Sequence, residues 1–414
     1  MTSLAAPNSF TAYSTPATRA WSLELEGAFE VLARARVLER QGRDIAHLAI
    51  GEPAFATPPH IVDEAVRALR DGDTRYAPPA GIPALREAIA ESLQDRGIAT
   101  TPAQVVITPG AKSALCCTIL CCVSPGEEVL VPDPGFPAYR SLVRFAGGIA
   151  VEYALDADAG FAPDVDDIAA RITPRTRALI LNAPHNPTGG SVTREMLARI
   201  AELAARHDLL VISDEVYGRL VYGDGLTRAP SIGALPEADA RTILIDGFSK
   251  TYAMTGWRLG FAVLPPALAE RATAFAVNAY SCVAPFVQRA GVAALTGPQE
   301  CVESLVAALR ERRAQLLNEL TGCRGMVCRP PAGAFYVYAD ITTVLTEHDV
   351  TTEALATRLL EDAGVATLPG TAFGDRGVGY LRLSFAGTDR DVVEGARRIR
   401  AFVDALDHTS ENLS

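Results

Sequence analysis

The 414-residue sequence is almost without lysine. Of its 38 basic residues two are lysine, Lys112 and Lys250, and all the others are arginine. Ordinary positive charge is therefore carried by arginine. A position that stays lysine points to something arginine cannot supply, an amine able to lose its proton and attack a carbonyl. A basic run is also missing, and the formal net charge is −11, which argues against nucleic acid as a partner. The longest apolar stretch, "ALCCTILCCV" at 114–123, is about half the ~20 residues a membrane-spanning helix needs. The opening "MTSLAAPNSFTAYSTPATRAW" has neither the basic beginning nor the apolar middle of a secretory signal. We read residues 1–20 as a loose tail and the protein as cytoplasmic, without a membrane partner.

Metal patterns are absent too. Cys116, Cys117, Cys121 and Cys122 form two adjacent pairs inside a helix-like run and fit no C-x-x-C zinc spacing, so they read as small buried hydrophobes. The six histidines are scattered. "GAKS" at 110–113 ends like a phosphate-binding loop, but Ala111 stands where that motif requires glycine, and no G-x-G-x-x-G follows any predicted strand.

What is present is alternation. Predicted strands at 105–108, 128–132, 177–182, 209–214 and 242–247 are separated by helix candidates near 112–123, 137–146 and 193–206, after an amphipathic stretch at 61–71. Continuous apolar strands between helices predict an α/β fold with a largely parallel sheet covered on both faces. Helical stretches at 285–296, 300–320, 352–363 and 389–406, with strand-like "GAFYVYADI" and "YLRLSFA", predict a smaller α+β unit. The segment around 24–41 is expected to pack against it.

Parallel sheets place their chemistry beyond the carboxyl ends of their strands. Three strands run into "APHNPTGG", "EVY" and "FSK", which brings Asn186, Asp214 with Tyr217, and Lys250 to one edge. These residue types suit pyridoxal 5′-phosphate. A lysine amine condenses with the aldehyde, and a carboxylate keeps the ring nitrogen protonated. Asp214 is the candidate for that carboxylate, Tyr217 and Asn186 for the phenolic oxygen, and Phe136 in "DPGFPAY" for the ring face. Arg258 and the helix start in "TPGAKSAL" offer charge and backbone amides to the phosphate. Lys112 sits at that helix start, where the dipole disfavours a cation unless an anion lies nearby.

The chain resembles the fold-type-I, class I/II pyridoxal-phosphate aminotransferases, close to the bacterial aspartate aminotransferases, over about residues 25–405. The resemblance is carried, in order, by "GEPAFATPPHI", "TRYAPPAGIPALREAIA", "DPGFPAY", "NAPHNPTGG", "SDEVYGRL", "GFSKTYAMTGWRLGF" and "YLRLSFA". It implies a large domain at 51–294 with a mostly parallel seven-stranded sheet, a small domain at 295–414, and a segment at 21–50 packed with the small one. It implies that Lys250 carries the cofactor and then shuttles a proton. Asp214 would pair with the ring nitrogen; Arg258, the backbone at Gly110–Ala111 and Ser249 would take the phosphate. Tyr76 would reach the phosphate of a neighbouring subunit in a homodimer with shared sites. Gly51 would admit substrate close to the backbone, Arg382 and Asn186 would meet its α-carboxylate, and Lys112 a distal carboxylate. The expected activity is ping-pong transfer of the amino group of an L-amino acid, aspartate or glutamate among them, to a 2-oxo acid such as 2-oxoglutarate.

Two departures bear on substrate. Ala54 and Ala56 replace acidic residues usual in the entrance loop, and Gly247 stands where many relatives have serine. The alternative reading is a biosynthetic enzyme using the same cofactor for β- or γ-elimination, cyclisation or oxidative deamination. A transcription regulator on this scaffold would need an N-terminal DNA-binding domain, for which 50 residues precede "GEP".

Overall fold

The computed structural model describes residues 16–24, 27–236 and 238–411. The part of the expected tail up to residue 15 lies outside them, while Thr18–Ser22 form a 3-10 turn. This turn is tied down: the Ser141 hydroxyl donates to the Ser22 carbonyl at 3.1 Å.

The main sheet has eight strands in the spatial order Val105–Thr108, Gly260–Val263, Thr242–Gly247, Leu210–Asp214, Thr176–Asn182, Glu128–Asp133, Ile149–Asp156 and Ala162–Pro163. Seven are the expected mostly parallel set, and the eighth is a two-residue antiparallel edge pairing. Gly260–Val263 is antiparallel to both its neighbours. It and Ile149–Asp156 escape the sequence pattern for different reasons. The first is four residues long and starts on glycine, and the second is half-exposed and carries Glu152.

Alternating burial explains the layers. Ile243, Ile245, Ile212, Ile180 and Val129 pack on one face against Ala114, Leu115 and Ile119 of the helix Ala111–Cys122 and Ala272 of Pro266–Ala279. On the other face Leu244, Phe261 and Ile107 meet Leu85, Ile89 and Ala290. Leu179 and Val211 on that face meet Leu197 and Ile200 of the helix Arg194–Arg206. Each fully buried Ile, Leu or Val contributes about 1.5–3 kcal/mol relative to exposure, so a one-residue register slip in any central strand would be severely penalised. Register thereby fixes the site. Asp214 lies opposite Asn182 and Ile245, and Gly247 opposite Gly260, so the strand ends form one line.

The second unit is an antiparallel sheet ordered Val327–Cys328, Tyr336–Asp340, Tyr380–Ser384, Leu368–Pro369. Val337 and Leu383 share a core with Leu309 and Leu316 of the helix Glu300–Leu320 and Val392 and Ile399 of Asp389–Glu411. Tyr338 turns to a separate cluster with Ala35, Leu368 and Phe373. Ala35 belongs to the helix Gly27–Arg40, and Ala46–His47 pairs in parallel with Val365–Ala366. Among the described residues no helix is long and apolar enough to cross a membrane, and no group of three or more His, Cys, Asp or Glu could hold a metal ion. The eight cysteines are free.

Candidate active site

Lys250 lies on a single helical turn, Phe248–Thr251, directly after the strand Thr242–Gly247. Its Nζ donates to the Gly51 carbonyl at 2.7 Å. Burial pushes its pKa down to about 8; Glu52 opposes the shift, while Arg382, Arg258 and Lys112 add to it. A cation has been desolvated among cations, the environment that turns an ammonium into an available amine.

Asp214 ends the strand Leu210–Asp214 and is buried. Its Oδ2 accepts from the Tyr139 hydroxyl at 2.7 Å. Burial pushes its pKa up to about 6, with the Tyr139 hydrogen bond working the other way. Tyr217, one turn beyond, shares a hydroxyl–hydroxyl hydrogen bond of 2.9 Å with Tyr336. Burial, then Tyr336, holds the Tyr217 phenol well above the ordinary range, so it stays a neutral donor.

Asn186 is held from both sides. Its N–H donates to Asn182 Oδ1 at 2.9 Å, and its own Oδ1 accepts from Arg382 Nη1 at 2.9 Å. Arg382 comes from the second unit, on the strand Tyr380–Ser384, and its Nη2 donates to the Ala49 carbonyl at 2.5 Å. The guanidinium carbon lies 4.3 Å from the ring centroid of Tyr336 and 4.8 Å from that of Phe373. These cation–π contacts and the two hydrogen bonds fix a planar, bidentate donor of the kind that suits a carboxylate. Gly51 is required beside it: a Cβ there would lie 2.0 Å from the Tyr336 hydroxyl.

A second positive corner forms where Gly110 precedes the helix Ala111–Cys122. Gly110 has φ +84°, and a Cβ on it would come 2.4 Å from Arg258 Nη2. No side chain caps this helix start. Arg258 Nη1 donates to the Thr255 carbonyl at 2.8 Å, and the residue itself is left-handed at φ 55°. Ser249 is half-buried on the same turn as Lys250. Phe136 is half-buried, edge-on to Tyr139 at 5.6 Å and 5.2 Å from Lys112 Nζ. Tyr76 is the exception. Its side chain is 89% exposed, and among the described residues no hydrogen bond or ring contact ties it to this cluster.

Residues 43–399 match the family model described as aminotransferase class I and II. The chain belongs to this family. An aspartate/prephenate aminotransferase of Thermus thermophilus is 38% identical over 384 residues, 92% of this chain and 96% of its own length. An aspartate aminotransferase of Geobacillus stearothermophilus is 36% identical over 393 residues, 94% and 99% of the two chains. The solved T. thermophilus aspartate aminotransferase with maleate superposes with a TM-score of 0.87, covering 94% of this chain and 99% of that one at 38% identity. As a class I/II aminotransferase the protein moves an amino group between an amino acid and a 2-oxo acid, and the family implies pyridoxal 5′-phosphate as cofactor.

Sequence reasoning did not single out four residues of the aminotransferase site: Tyr139, Asn182, Tyr336 and Phe373. Tyr139 was within reach, since it stands three positions after Phe136 in a quoted motif. Tyr336 and Phe373 leave no such trace, because they arrive from the second unit, and only the fold sets them against Arg382.

Proposed function

We propose that this aminotransferase binds pyridoxal 5′-phosphate at Lys250 and takes amino groups from acidic L-amino acids, aspartate or glutamate, passing them to a 2-oxo acid such as 2-oxoglutarate. One observation carries the reading: neighbouring strands bring Asn186, Asp214 and Lys250 together under an Arg382 delivered by the second unit. The residues present fit the cofactor. A depressed lysine amine suits its aldehyde, a buried carboxyl its ring nitrogen, and an uncapped helix start beside Arg258 its phosphate.

When bound, the cofactor supplies a carbonyl to receive the amino group and a protonated ring that draws electrons from the carbon being deprotonated. The chain's own residues do the rest. Arg382, oriented by Asn186 and its two rings, holds the substrate α-carboxylate. Lys250, as a neutral amine, would move the proton from the substrate Cα. Asp214, fixed by Tyr139, would keep a proton on the ring nitrogen. Tyr217 and Asn186 would hold the phenolic oxygen, and Phe136 would pack on the ring. The amides at Gly110–Ala111, with Arg258 and Ser249, would hold the phosphate. We place the large domain at 51–294 and the small one at 295–414.

Lys112 is the support for an acidic substrate, being the only other lysine and lying at the helix start near Phe136. The relatives are named for aspartate, and one was solved with maleate, a dicarboxylate.

L-aspartate or L-glutamate, mixed with the coloured enzyme and no acceptor, should bleach it and release one equivalent of 2-oxo acid. Lys250→Ala should abolish turnover. Ammonia released without an acceptor would instead reveal elimination or deamination. Lys112→Ala should reduce kcat/KM for acidic donors about tenfold or more while sparing neutral ones. Equal losses would remove the distal-carboxylate role.

A further inference from the structure

On the face of the strand Thr242–Gly247 away from the helix Ala111–Cys122, a small cleft opens to solvent. Its polar lining includes Ser92, Arg96, Arg219, Arg228, Asp246 and Tyr252. Three guanidiniums thus share one concave, partly desolvated space, and their charge is not matched.

Arg96 is satisfied, with its Nη2 2.5 Å from Glu215 Oε2. Glu215 is in turn used up, because its Oε1 also accepts from Ser213 Oγ at 3.0 Å and Ser231 Oγ at 2.5 Å. Arg219 gives Nη1 to Gln299 Oε1 at 2.7 Å, but its buried Nε–H donates to nothing. Arg228, half-buried, makes no hydrogen bond or ion pair among the described residues. The one remaining acid, Asp246, accepts only the N–H of Gly247, at 2.6 Å. Burial pushes Asp246 up to about 7 and Arg228 down to about 10, Arg219 and Arg96 adding to the latter. Burial drives both shifts; the neighbouring guanidiniums oppose the rise of Asp246 and deepen the fall of Arg228, whose charge is thus crowded by like charge.

We propose that this cleft is a second anion site, which takes a phosphate group on Arg219 and Arg228, with Ser92 and Tyr252 at its margin. A phosphate group fits better than a carboxylate. Neither Arg219 nor Arg228 has an acidic partner among the described residues, and a phosphate brings nearly two charges and at least three acceptor oxygens, against one charge and two oxygens. The site is separate from the chemistry at Lys250. It adjoins that chemistry in two places: Arg96 anchors Glu215, the residue next to Asp214, and the lining residues Phe248 and Thr251 share the helical turn of Lys250.

The test is a titration of the cofactor-loaded enzyme, in which the Arg258 corner is already filled, with inorganic phosphate and with glycerol 3-phosphate. Heat of binding and thermal shift are the two readouts. Saturable binding at millimolar concentration is expected, persisting in Arg382→Ala and in the surface control Arg206→Ala. Arg228→Ala and Arg219→Gln should each weaken it about tenfold, the loss of one charge-assisted contact. Binding of both ligands would identify a monoester site; binding of inorganic phosphate alone, a free-ion site. Isotherms for Arg228→Ala that superpose on the wild type, or no response of the wild type to millimolar phosphate, would overturn the proposal.

Discussion

At the scale of single residues the site is organised by desolvation. Lys250 has its amine pushed down to about 8, so below that pH the ammonium dominates and above it the neutral amine does. Uptake of pyridoxal phosphate by the cofactor-free protein should therefore accelerate up to about pH 8 and then level off. Stopped-flow absorbance measures this, and a rate still climbing towards the ordinary lysine value of 10.5 would contradict the burial. Asp214 runs the other way. Its folded pKa of about 6 lies above its ordinary 3.8, so its contribution is favourable at low pH and is lost as pH rises through about 6. Thermal melts of the cofactor-free protein should show that decline, and Asp214→Asn should flatten it. Tyr139→Phe removes the hydroxyl that donates to Asp214. It should lower kcat with little change in KM, because the tyrosine positions the carboxyl and does not touch substrate.

Among the elements, the junction between the strand Val105–Thr108 and the helix Ala111–Cys122 is the most tightly constrained. Gly110 is left-handed and packed against Arg258, and a Cβ on Gly260 would sit 2.4 Å from the Ala111 nitrogen. Gly110→Ala should cost about 1 kcal/mol in backbone strain alone. Its larger effect should fall on cofactor retention, because Arg258 must move. Equilibrium dialysis against pyridoxal phosphate separates the two. Unchanged affinity together with a lowered Tm would show that Gly110 serves only the backbone. The helix itself was legible from its apolar run at 114–123, and the five named strands from their β-branched runs. Gly260–Val263 was not, because a four-residue antiparallel strand beginning on glycine looks like a loop until its two neighbours are in place.

For the whole molecule, the exposed Tyr76 is the informative residue. A tyrosine with 89% of its surface in water is not held by packing within its own chain, and the resemblance implies that it reaches the phosphate of a second. Sedimentation should give a dimer, and Tyr76→Phe should weaken cofactor retention about tenfold through loss of one hydrogen bond to a charged group. A monomer that holds cofactor equally well with and without that hydroxyl would remove the shared-site reading. Arg382 illustrates the same scale within one chain: its partner Asn186 is 196 positions away, so their contact exists only when both units are folded together.

By itself the sequence determined five of the sheet's eight strands, their layers and the position of Lys250 at a strand end. Strand burial is written in local hydrophobic pattern, and in a chain of arginines a retained lysine stands out. Only the tertiary structure decided what surrounds those groups: Tyr139 on Asp214, Tyr336 and Phe373 about Arg382, and the guanidinium cleft behind the strand that carries Lys250. Each of these is a contact between segments far apart in the chain. Such contacts arise from packing geometry, and no local spacing or period records them.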